Sequence, residues 1–187
     1  MDKTILGIDP GTREMGIAVL TGRRLVAHGV HTLRNGERPY DLVGQARRVV
    51  LGYIGRFSPH LVAIEAPLRI ATTRAAILTV ISEELGARAR ELSVEVVELT
   101  PEEVRQRVAG DPRAKKLQVA ETLVGLGFEE LRPLIPVRPS RSALGLRPRD
   151  KYWLHMFDAL AVALAVQRQI AAPNQEVLPP PLGRGEI

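Results

Sequence analysis

The chain has 187 residues, 45% hydrophobic and 25% charged, with no cysteine and a formal net charge of +5 at pH 7. These proportions describe one packed globular domain, and they exclude a disordered chain, a fibrous repeat, a disulfide framework and any thiolate ligand or nucleophile. No run approaches the roughly 18 apolar residues that span a bilayer, and Met1-Asp2-Lys3-Thr4 does not open a secretory signal, so a cytoplasmic location and no membrane partner are expected.

Residues 4–9 are a short apolar run ending in Asp9, residues 16–20 follow the Pro10-Gly11 turn, and residues 25–33 alternate before Asn35-Gly36. Three strands joined by tight turns predict an antiparallel meander. From Asp41 the period lengthens, with Leu42, Val43, Ala46, Val49, Val50, Tyr53, Ile54 and Phe57 recurring at three and four, which predicts an amphipathic helix stopped at Ser58-Pro59. Residues 61–64 form a fourth strand, parallel to the first if the crossover is right-handed. A helix from Thr72 or Thr73 to about Leu92 and an alternating strand over 94–99 repeat the step. Thr100-Pro101-Glu102-Glu103 then starts a short helix, with Thr as cap, Pro in the first position and Glu in the third.

Gly110-Asp111-Pro112 breaks that helix, and 114–126 resumes helical periodicity. Residues 127–150 are proline-punctuated without a period and read as a long loop. Residues 131–151 carry Arg132, Arg138, Arg141, Arg147, Arg149 and Lys151 against Asp150 alone, so this stretch holds the whole net charge and suits an anionic partner. A last helix is expected over 152–170, and residues 172–187 are expected to be a disordered tail. The expected organisation is a single domain over residues 1–171. Its class is α/β, a five-stranded mixed sheet of three antiparallel N-terminal strands and two further parallel ones, flanked by helices.

Three carboxylates stand where burial is expensive. Asp9 ends the first strand, Glu65 ends the fourth, and Asp158 lies in an otherwise apolar helix. Each has an ordinary alternative: an Asx turn for Asp9, a solvent-facing strand end for Glu65, a helix cap for Asp158. If the first and fourth strands are parallel neighbours, however, Asp9 and Glu65 emerge at the same C-terminal edge, where open α/β sheets place their ligands. A helix across that edge adds Asp158, with His155 three residues earlier on the same face. Carboxylates so close repel one another unless a cation compensates, and Mg²⁺ or Mn²⁺ accepts such ligands.

Gly7-Ile-Asp-Pro-Gly11 with Gly16, Ala63-Ile-Glu-Ala66, Ala114-Lys-Lys-Leu-Gln-Val119 and His155-Met-Phe-Asp-Ala-Leu-Ala161 together resemble the RuvC family of Holliday-junction resolvases. The likeness runs over about residues 4–170. It implies a ribonuclease-H-like fold and a homodimer acting on four-way DNA junctions, with a branch-migration helicase as a further partner. It also implies that Asp9, Glu65, His155 and Asp158 hold two Mg²⁺ or Mn²⁺ ions, with Lys115 or Lys116 near the scissile phosphate. Arg13, Arg69, Arg74, Arg138, Arg141, Arg147 and Arg149 would grip the flanking backbone.

Two features depart from the family. Ala66-Pro67-Leu68-Arg69 stands where many members carry an aromatic wedge, and the basic loop is longer than usual. RNA processing of the YqgF type, ATP binding through Asp9-Pro-Gly-Thr12, and junction binding without cleavage are the alternative readings.

Overall fold

The first apolar run folds as strand β1 (Thr4–Asp9) and pairs antiparallel with β2 (Glu14–Thr21), which pairs antiparallel with β3 (Arg24–Thr32). This computed structural model describes residues 2–34, 39–67, 71–136 and 151–171. On the other side of β1, strands β4 (Leu61–Glu65) and β5 (Glu95–Leu99) run parallel to it. The sheet order is β3-β2-β1-β4-β5, the mixed topology expected from the sequence.

Alternation along the strands divides the core into two. Leu6, Ile8, Ile17, Val19, Val62 and Ile64 pack on one face beneath α1 (Pro39–Phe57) and α2 (Thr73–Glu91). Ile5, Ala18, Leu20, Leu61 and Ala63 pack on the other beneath α3 (Pro101–Ala109), α4 (Lys116–Gly125) and α5 (Leu154–Ala171). Strands β1 and β4 are covered on both faces, which is why they read as continuous apolar runs. Each fully buried Ile, Leu or Phe on these faces contributes about 1.5–3 kcal/mol.

Helix α3 starts as its sequence demands. Thr100 Oγ1 accepts from the Glu103 amide at 3.3 Å, Glu103 Oε2 accepts from the Thr100 amide at 2.8 Å, and Gly110 ends the helix in the left-handed region at φ 73°.

One expectation is corrected. The stretch read as loop from residue 127 begins with a 3-10 helix, Glu129–Leu134, in which Leu131 is buried. Phe128, Leu131 and Leu134 all pack on the core beside α4, and their spacing of three matches the three-residue turn of such a helix. The rest of the expected basic loop, 137–150, and the expected tail, 172–187, lie outside the described residues. No helix among the described residues is long and apolar enough to cross a membrane.

Candidate active site

Ile8 on β1 pairs with Ile64 on β4, and the next residue on each strand is a carboxylate, so Asp9 and Glu65 finish side by side. Both sit two positions beyond a residue of the α5-facing side, Gly7 and Ala63, so alternation points both toward α5. The helix can reach them because it lies against backbone. A Cβ on Gly7 would stand 2.1 Å from the Ala159 carbonyl oxygen, and one on Gly16 would stand 1.8 Å from the His155 carbonyl oxygen. Only glycine permits that approach.

Helix α5 thereby delivers His155 and Asp158 to the strand ends. His155 Nδ1 and Asp9 Oδ2 are 2.6 Å apart. One ligand atom from each of Asp9, His155 and Asp158 lies within 4.8 Å of the others. Glu65 stands beside this trio but outside it, and its Oε2 is buried without a hydrogen-bond partner. The bland alternatives for two of these residues therefore fail: Asp158 lies inside α5, which begins at Leu154, and does not cap it, while Glu65 does not simply face solvent.

The electrostatics are those of an overcrowded acidic site. Burial, followed by the charges of Asp9 and Asp158, pushes Glu65 up to about 8, with Lys116 and Arg105 opposing. Burial likewise raises Asp158 to about 6 against the pull of Lys116. Lys116 Nζ donates to Asp158 Oδ2, and although burial disfavours its charge, Asp158, Asp9 and Glu65 hold it firmly protonated. Burial also disfavours a charged His155, but the hydrogen bond and charge of Asp9 outweigh it and raise the imidazole above its ordinary value.

These residues fit a divalent cation. Carboxylate oxygens are hard donors, an imidazole nitrogen is a borderline one, and an unpartnered buried oxygen is costly unless something pairs with it.

A cleft of about 410 Å³ opens onto Asp9 and Glu65, and Arg74, Arg105 and Lys116 also line it. The lining thus combines carboxylates with three cationic side chains, which suits a phosphodiester presented to a cation. Of the two lysines anticipated at the phosphate, Lys116 reaches the site. Lys115 stays at the start of α4, where its amide donates to Gln118 Oε1 at 2.7 Å. Arg13 is exposed on the turn into β2, its carbonyl accepting from the Leu33 amide, and does not line the cleft. Arg69, Arg138, Arg141, Arg147 and Arg149 lie outside the described residues.

Arg105 was not singled out from the sequence. A signal existed, since α3 leaves the C-terminal end of β5 and its first turns must lie at the ligand-bearing edge.

A model of the family described as crossover junction endodeoxyribonuclease RuvC matches residues 5–127, ending before the helix that carries His155 and Asp158. A relative of that description from Bacteroides fragilis is 31% identical over 127 residues, 65% of this chain and 68% of its own length. Another from Thermus thermophilus is 30% identical over 171 residues, 86% of this chain and 90% of its own. The solved Thermus thermophilus RuvC structure superposes with a TM-score of 0.68 at 25% identity, covering 91% of this chain and 96% of that one. T. thermophilus RuvC in complex with Holliday junction substrate gives a TM-score of 0.66 at 24% identity, covering 90% and 95%.

Proposed function

Because this chain belongs to the RuvC family of crossover junction endodeoxyribonucleases, we propose that it hydrolyses phosphodiesters of four-way DNA junctions with the help of bound divalent metal. The observation that carries this reading is the convergence of Asp9, His155 and Asp158 within 4.8 Å, beside a buried Glu65 oxygen that has no partner. Such a group is unstable as a set of bare charges and becomes favourable around a cation.

Asp9, Glu65, His155 and Asp158 would hold two Mg²⁺ or Mn²⁺ ions. When bound, those ions supply an activated water and neutralise the charge that develops on the phosphoryl oxygens. The chain's own residues do the rest. Asp9 fixes the His155 ring through Nδ1, which leaves Nε2 as the free ring nitrogen. Arg74, Arg105 and Lys116 line the cleft as phosphate-binding cations and bring a backbone against the carboxylates. Arg13 and the arginines at 69, 138, 141, 147 and 149 extend that grip along the flanking arms.

The same reading includes a homodimer, because a junction of two-fold symmetry is cut on two strands and a two-fold pair of sites matches it. It also includes a branch-migration helicase as partner and the cytoplasm as compartment. The family match is what favours it over RNA processing or ATP binding.

The experiment is cleavage of a mobile four-way junction, linear duplex, flap and single strand in Mg²⁺ or Mn²⁺, beside Asp9→Asn and Asp158→Asn. Cleavage selective for the junction and lost in both variants is expected. Full activity in both variants would overturn the site.

A further inference from the structure

Lys116 is bound in a way that its part as a phosphate contact does not explain. It is the first residue of α4, and its ammonium donates to Asp158 Oδ2, a member of the metal-binding trio. Asp158 has 9% of its side chain exposed, whereas the Lys116 side chain is 45% exposed and lines the open cleft. The carboxylate is therefore held in place, while the lysine can leave by rotating its own stem without disturbing the core.

The charges give the pairing a purpose. Asp9, Glu65 and Asp158 bring three negative charges when ionised, and Lys116 returns one. The two that remain are balanced by a single divalent ion. A second ion overcompensates the site until the ammonium departs and a phosphate enters. Lysine suits that exchange because its charge is compact, sits on a four-carbon stem and is not tied by a bidentate fork.

We infer that Lys116 is the resident cation of this site, holding the carboxylates together before divalent metal binds, releasing Asp158 when metal arrives, and then turning its ammonium to the backbone phosphate of the DNA. The inference rests on the metal-dependent reading above. It makes metal loading and phosphate capture two halves of one movement, so that the phosphate contact forms only at a loaded site.

The test is metal binding without DNA. Free Mn²⁺ is followed by electron paramagnetic resonance during titration of the wild type, Lys116→Met and Lys116→Gln at pH 8.5. Both variants are expected to bind Mn²⁺ about 10-fold more tightly, because no ammonium has to be displaced. Without metal they are expected to melt lower than the wild type, by on the order of 5 °C, and to regain the loss when Mn²⁺ is added. In the wild type, titration with Mg²⁺ is expected to shift the side-chain ammonium resonance of Lys116, a measurement that requires no variant to fold.

Equal or weaker Mn²⁺ affinity in Lys116→Met, with metal bound by both proteins, would overturn this inference alone. So would a Lys116 resonance that Mg²⁺ binding leaves unmoved. A wild type that binds no Mn²⁺ at all would overturn the metal-dependent reading, and this inference with it.

Discussion

The backbone carbonyl of His155 on α5 rests against the backbone of Gly16 on β2, so close that a Cβ on Gly16 would stand 1.8 Å from the oxygen. This contact sets the height of the helix above the sheet, and through it the distance from His155 to Asp9. Gly16→Ala is expected to lift α5, costing about 1–3 kcal/mol through overpacking. Displacing His155 and Asp158 by about 1 Å is expected to lower cleavage on the order of 100-fold. Thermal melting and single-turnover cleavage, measured together, check both; a variant as active as wild type would show that the approach of α5 does not govern the site.

Asp9→Asn and Asp158→Asn each remove a ligand charge from the cluster while keeping the side-chain shape. Cleavage is expected to fall at least about 10³-fold, several kcal/mol of transition-state stabilisation, while junction binding stays within about 10-fold of wild type. Removing metal with a chelator is expected to do the same to the unmodified protein. Gel-shift binding and cleavage on one labelled junction separate the two effects.

Arg74 and Arg105 line the same cleft as Asp9 and Glu65. Replacing either with Gln is expected to weaken junction binding and to reduce the slope of log affinity against log salt by about one. A salt series by fluorescence anisotropy reads this directly. An unchanged slope in Arg105→Gln would place that side chain off the DNA path.

Helix α3 carries Arg105 into the cleft from a start held by Thr100 and Glu103, and Thr100→Ala is expected to cost about 1 kcal/mol. Hydrogen bonds from the Thr100 amide and hydroxyl hold the Glu103 carboxyl below its ordinary value. A depressed carboxyl stabilises the fold above its unfolded value near 4.5, and that contribution is lost as pH falls through the lower folded value. Glu103→Gln is therefore expected to be less stable than wild type at pH 7, with the gap closing below about pH 4.5. Urea melts at pH 7 and pH 3.5 measure it.

Much of the fold was legible because it is written in local periods. Residues 42–57 repeat at three and four, Thr100-Pro101 starts a helix by its own chemistry, and β1 and β4 read as runs covered on both sides. The 3-10 helix at Glu129–Leu134 escaped because a spacing of three across six residues is too brief to stand out beside two prolines, Pro133 and Pro136. At the site, Asp9 and Glu65 could be placed at one edge from strand order alone, and His155 and Asp158 on one helix face from their spacing.

What the sequence by itself determined, then, is the set of groups and the edge they share, since alternation along a strand and the turn of a helix act over a few residues. Only the tertiary structure decided that His155 meets Asp9 across 146 residues of chain, that Lys116 meets Asp158 across 42, and that Glu65 stands just outside the trio. Those outcomes depend on how near α5 lies to β1 and β2. That distance is set by backbone resting on Gly7 and Gly16, a contact between distant segments that no local pattern encodes.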